Sequence, residues 1–584
     1  MSNRTRLWVP FLLAALAVGC SCKNPKPGAK AAPSAQVAPA LAGSKVDSLL
    51  KATWQAQGVL PTAAADDRTF IRRATLDMLG VLPTPEEVQT FVADAGADKR
   101  ARLMDRLLAD NRFSERFAAV YTDLLLGESG PKKDVDRAAF RGWLRDQMAA
   151  RAGWNTIAHE VVAGTGKNSP GGAVRDRLIA AAATVAPKND DDVHGNVNYM
   201  VRFRGAVEDL AGRTSRNFLG VQIQCAQCHD HKTEAWTTAQ FKSFAASFIQ
   251  TRAVPVDDKE KGEVRVLELK DMPKVKLGPK ATESQRAIAE APPRALDGTQ
   301  LDTRDRRRAL ADWMVAKQNP TFAKAFVNRT WAHLLGTGFV EPVDDFRPGN
   351  KPDLPELLEA LADGFVASGY DIRGLYKTIC LSEAYQRSAG PPAKLWASFS
   401  VRPIGAEVLF DAVVYATGLG PLVEEIAGER AELVRARAKQ RFVLVLDVDE
   451  DAGTHSFEGS IPHALLLSNG AVTRMGARAI EGGSLLAILR DKGDDNSKLD
   501  ALYERTLSRK PTQEEREHWK TFLADSMLIK DDAQGKPLNA GRPKDDMLAK
   551  LEKRLPSKAK TPKEKAFEDI FWALLNSSEM AMQH

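Results

Sequence analysis

The feature that most limits what this chain can fold into is the recurrence of apolar side chains at helical spacing over residues 44–247. Phe70, Ile71, Ala74, Leu76, Met78 and Leu79 form one such run, entered after a cap at Asp66 or Asp67 and stopped by Gly80 and Pro83. Thr84-Pro85-Glu86-Glu87 opens the next helix. A threonine hydroxyl accepts from a free backbone N–H, proline needs no partner at the first position, and acids suit the positive end of the helix dipole. Leu103, Leu107, Phe113, Phe117, Tyr121 and Leu124 carry the pattern through residues 98–126, and residues 138–150 and 200–218 continue it.

Few stretches break this rhythm. Residues 164–198 hold Ser169-Pro170-Gly171-Gly172 and the acid run Asp190-Asp191-Asp192, and they are expected to form a loop that folds back over the cysteines that follow. The alternation from Val264 to Leu269 predicts a strand, and the β-rich run 441–448 is expected to pair with it. Helices are expected again at 307–315, 322–335, 355–367, 372–382, 406–417, 499–506, 514–523 and 566–575, with a Lys- and Asp-rich insert at 530–546. The fold expected is mainly α, two helical domains with a small β-containing segment between or beside them. Residues 44–250 form the first, 251–300 a linker with strands, and 301–584 the second.

The N-terminus sets the compartment. Arg4 and Arg6 precede an apolar run at 7–18 and then Gly19-Cys20, with Ala17 where such signals prefer leucine. Residues 1–20 resemble a bacterial lipoprotein signal, which implies lipid on Cys20 and a membrane as the first partner. Residues 21–43, rich in Ala, Pro and Lys, cannot bury enough surface to fold and read as a tether. The body is therefore expected outside the cytoplasm, where disulfides persist. A net charge of +6 among 27% charged residues gives no case for nucleic acid.

Two of the five cysteines and two of the nine histidines fall in Cys225-Ala226-Gln227-Cys228-His229-Asp230-His231. Cys-x-x-Cys-His is the spacing of haem c attachment: each thiol can bond a vinyl group, and the next imidazole can ligate the iron. Cys225 and Cys228 would hold the group and His229 would be the proximal ligand. His194, Met200, His231 and Met272 are formal candidates for a sixth ligand. The same residues fit zinc, with His229 or His231 as a third ligand, although no second Cys-x-x-Cys pair is present to close the site. They also fit a dithiol that shuttles a disulfide, without the βαβ pattern that usually carries one.

A second polar group lies at Asn328, Arg329, Asp344 and Asp345, with His333 nearby. Paired acids can divide acid and base roles in hydrolysis, but adjacent acids in an extended loop point opposite ways, and Asp-Asp before an aromatic is more often a turn device. An ion pair between Arg329 and Asp345 is one structural expectation.

At this point the chain resembles a known pair of domains. Residues 70–87, from Phe70-Ile71-Arg72-Arg73 to Thr84-Pro85-Glu86-Glu87, carry the likeness together with 219–231 around the cysteines. In the second half it runs through Val327-Asn328-Arg329-Thr330-Trp331, Asp344-Asp345-Phe346, Ser382-Glu383-Ala384-Tyr385-Gln386-Arg387 and Leu507-Ser508-Arg509. The sequence is similar to the tandem domains of unknown function, numbered fifteen-forty-nine and fifteen-fifty-three, found beside the Planctomycete cytochrome C domain in surface or secreted bacterial proteins. The resemblance implies an envelope protein with a redox or envelope partner, and it brings no activity with it. Lys232-Thr233-Glu234 departs from the usual continuation, and no separate N-terminal cytochrome domain is seen. The leading expectation is a haem c protein in electron transfer or a haem-assisted redox step. The alternative is a surface binding or scaffold protein, for instance in polysaccharide handling, with zinc or a disulfide at the same loop.

Overall fold

The computed structural model describes residues 43–127, 134–183, 185–186, 188, 192–230, 236–256, 263–275, 277–391, 393–446, 470–526, 552 and 554–584. The lipidation candidate Cys20, the tether up to residue 42, His231 and the 530–546 insert lie outside the described residues. The chain is mainly helical, with small antiparallel sheets beside the helices.

Local signals place the first helices. Asp66 caps the helix Asp67–Leu79 by accepting from the Thr69 N–H, and Gly80 ends it in the left-handed region at φ 67°. Thr84 and Glu87 form a reciprocal capping box on Pro85–Ala93, as the sequence predicts. Every residue from Phe70 to Leu79 is buried, three charged ones included. Burying a charge is costly unless it is hydrogen-bonded, and each makes hydrogen bonds here, although Nε of Arg72 and one Nη of Arg73 have no partner. Arg72 donates to the carbonyl of Thr506 at 2.9 Å, and Arg73 to the carbonyls of Tyr385, Arg387 and His584. Asp77 accepts from the Tyr385 hydroxyl at 2.7 Å and from Arg402 at 2.6 Å. This helix is thus a strut touched by residues from well beyond its own half of the sequence.

The apolar core falls into two clusters. One gathers residues from Val46 to Phe399, and the other gathers Leu76, Leu82 and residues from Ile404 to Met580. The strut belongs to both, giving Phe70, Ile71, Ala74 and Met78 to the first and Leu76 to the second.

The predicted strand is present as Leu267–Asp271, the centre of a three-stranded antiparallel sheet between Gly166–Lys167 and Thr251–Pro255. The described part of the run at 441–448 does not join it. Residues 441–446 instead close the helix Ala431–Leu446, whose earlier turns are rich in Ala, Glu, Arg and Lys. Those strong helix formers extend the helix into a β-branched end, because adding a residue to a formed helix is easier than pairing a new strand. A second sheet of two short strands joins Arg402–Pro403 to Met582–Gln583.

The stretch 164–198 carries one of those strands, the helix Val174–Ala182 and a turn at Gly195–Val197. Buried Asn168 and Asn198 pin it to its neighbours. Asn168 accepts from the Leu267 N–H at 2.8 Å, and Asn198 donates to the Asn168 carbonyl at 2.8 Å. His194 sits against Gly166, where a Cβ would stand 2.5 Å from its ring. Met200 is a core residue, 3% exposed.

Candidate functional site

The cysteine turn is built from the helix Val207–Thr214, which widens into a π turn at Ser215–Leu219 and ends at Gly220, left-handed at φ 67°. Such widened turns recur beside functional sites. Gly220 is required there twice over: the conformation suits glycine, and a Cβ would lie 2.7 Å from the ring of Phe346. The Ser215 hydroxyl donates to the Val221 carbonyl at 2.7 Å and locks the exit. Val221 and Ile223 then enter the core, and Gln224–Gln227 makes one 3-10 turn around Ala226, which is wholly buried. The fit is close, since a Cβ on Gly212 would stand 2.5 Å from Gln224.

From this anchored turn the chemistry-bearing residues point outward. Cys225 and Cys228 are exposed free thiols, and His229 and Asp230 are exposed as well. Nδ1 of His229 lies 2.8 Å from the backbone carbonyl of Asp230. A carbonyl can only accept, so Nδ1 carries a proton, and in the neutral ring Nε2 holds the lone pair. The Asp230 carboxylate accepts from the N–H and hydroxyl of Thr238, at 2.7 and 3.1 Å. Those hydrogen bonds hold its carboxyl below the ordinary carboxylate range and tie the motif to the helix Thr238–Ala245. Among the described residues no group of three or more His, Cys, Asp or Glu is placed to hold a metal ion.

The second polar group is not a separate site. Arg329 does not pair with Asp345, as one reading of the sequence expected. Its guanidinium donates to the carbonyls of Asn217, at 2.7 Å, and Arg216, at 3.2 Å. The reason is local: the last carbonyls of a helix lack partners and carry the negative end of its dipole, and a buried cation meets both needs. Burial lowers the pKa of Arg329 from its ordinary value. Asp344 accepts from Arg216 at 2.6 Å and from Gln222 at 2.8 Å. Asp345 turns away to Arg347, at 3.0 Å.

Asn328, fully buried, holds the loop that carries these acids. It accepts from the N–H groups of Phe339 and Val340 and donates to the carbonyls of Val340 and Val343, all within 3.1 Å. The Phe346 N–H donates to the Gly220 carbonyl at 2.8 Å. Residues 328–346 therefore grip residues 216–222, directly ahead of Cys225. Arg216 and Gln222 were the partners missed by sequence reasoning, and no signal marked them, because both look like ordinary surface residues more than a hundred positions from Asp344.

Two family models match the chain: PSCyt2, a protein of unknown function (DUF1549), over residues 45–253, and PSD1, a protein of unknown function (DUF1553), over residues 306–456. The chain is a tandem PSCyt2–PSD1 protein. No curated protein and no solved structure matches it. The cysteine turn lies in the PSCyt2 portion and the gripping loop in the PSD1 portion. Membership associates the PSCyt2–PSD1 chain with cytochrome-c-linked surface proteins, and so with the cell envelope. Among its described residues no single helix is long and apolar enough to cross a membrane. One pair, Ala406–Thr417 with Leu419–Val443, passes on length and composition together but is bent by 82°.

Proposed function

We propose that this is a lipid-anchored, extracytoplasmic protein that binds a c-type haem through Cys225 and Cys228, with His229 as the proximal ligand, and serves electron transfer or a haem-assisted redox step. The observation that carries the reading is the hydrogen bond of His229 to the Asp230 carbonyl. Its Nδ1–H is given to a backbone carbonyl, so that in the neutral ring the Nε2 lone pair is left for a metal, the arrangement that fixes a ligating imidazole. Two free, exposed thiols precede it, fit for covalent attachment. Haem would supply one-electron chemistry. The chain itself would hold the group on a turn anchored by Ala226 and leave the attaching residues at the surface, within reach of a redox or envelope partner. Lipid on Cys20 would keep the body at the membrane.

The test is expression in a host with haem c maturation machinery, followed by denaturing electrophoresis with haem staining and a reduced absorption spectrum. A stained band at the size of the chain is expected. No covalently held haem would sink the reading, and zinc found in the same sample by metal analysis would support the binding or scaffold alternative.

A further inference from the structure

The geometry points to Asp344 and Arg329 as positioning residues for the cysteine turn: the PSD1 portion holds the PSCyt2 redox motif in place and thereby sets its properties. Three contacts converge on the few residues before Cys225. Arg329 caps the carbonyls of residues 216 and 217, Asp344 takes the side chains of Arg216 and Gln222, and Phe346 covers Gly220 and donates to its carbonyl. This segment is where the helix widens and reverses, and Val221, Gln222 and Ile223 then run on outside any regular element, so side-chain grips matter for holding them. Charge-assisted bonds to a half-buried carboxylate are the strong kind. Asp344 is 13% exposed and Arg216 34%, so their pair is shielded from water on the acid side.

The consequence follows from covalent continuity. Only Ile223 and Gln224 separate Gln222 from Cys225, and Ile223 is in the core. A shift of the gripped segment is passed to both thiols and His229. Hydrogen bonding and exposure around a ligating loop tune the potential of the group it holds. For that redox consequence the inference rests on the haem reading; for the position of the turn it does not.

The experiment uses the full chain. Hydrogen–deuterium exchange over residues 215–230 is compared in wild type, Asp344→Ala and Asp344→Glu, and the midpoint potential is measured on the haem-loaded forms. Asp344→Ala is expected to speed exchange at Gly220, Val221 and Ala226 roughly tenfold with the rest of the chain unchanged, from loss of two strong hydrogen bonds. Asp344→Glu is expected to restore most of the protection, and the Ala form to show a displaced potential. Unchanged exchange in Asp344→Ala overturns the positioning role. Faster exchange with an unchanged potential overturns the claim that the grip sets the redox property. If Asp344→Ala unfolds, Gln222→Ala decides: faster exchange confined to 215–230 supports the role and no change overturns it. A wild type without haem defeats the proposed function and leaves the exchange comparison to decide this inference alone.

Discussion

Two regions rich in polar and reactive residues lie side by side in this protein and have opposite fates. At the cysteine turn, Cys225, Cys228 and His229 face solvent, and the imidazole keeps one nitrogen unspent. In the loop that grips it, Asn328, Arg329 and Asp344 turn their hydrogen bonds to neighbours inside the protein, with only Nε of Arg329 left unpartnered. Residue type did not separate them, since both contain groups able to do chemistry. What separates them is whether folding provides a partner. A buried donor or acceptor without one costs about 1–3 kcal/mol, so interior groups are spent on structure, while surface groups stay available.

The sharpest way to break this contrast is to remove the thiols. Cys225→Ser with Cys228→Ser is expected to abolish covalent haem completely while moving Tm by less than about 2 °C, because exposed substitutions rarely exceed about 0.5 kcal/mol. Haem staining and a thermal melt on the same sample check both halves. A large fall in Tm would mean the turn is structural after all. In the gripping loop the reverse is expected. Asn328→Ala leaves two N–H groups and two carbonyls without their partner, and the loss should be about 3–5 kcal/mol, read as a lower urea midpoint. A loss under about 1 kcal/mol would show that water replaces the side chain and that the loop is more open than its burial suggests.

The smallest effect belongs to a group between the two extremes. Arg509 pairs with Glu515 at 2.7 Å and Glu579 at 2.6 Å on a partly exposed surface. The hydrogen bonds from Arg509 hold the Glu515 carboxyl down to about 2, from an ordinary 4.5. A carboxyl depressed on folding stabilises above its unfolded pKa, and that stability is lost as pH falls from about 4.5 through about 2. Glu515→Gln should therefore lower Tm slightly at neutral pH and flatten the acid limb of the Tm–pH curve. Parallel acid limbs in the two proteins would contradict the assignment.

Much of the fold was legible in the sequence because its signals are local. The capping box at Thr84 and Glu87, the Asp66 cap and the strand near residue 267 each depend on residues a few positions apart, and each is present. The run at 441–446 failed for the opposite reason: its own composition favours a strand, and the helix arriving from upstream overrode it. At the candidate site the motif was fully legible, and the tautomer of His229 was not. That depends on one backbone carbonyl whose direction is set by the turn.

The sequence by itself determined the inventory: a mainly helical chain, the spacing Cys225-x-x-Cys228-His229, and a basic then apolar N-terminal segment that runs into Gly19-Cys20. These are properties of neighbours along the chain. Only the tertiary structure decided that the Asp344 loop and the cysteine turn are one assembly. Arg216 and Asp344 are 128 positions apart, and no local preference of either reports the other. Their pairing is fixed by the common core that both segments share. Helix propensity and motif spacing act over a few residues; burial acts over the whole chain.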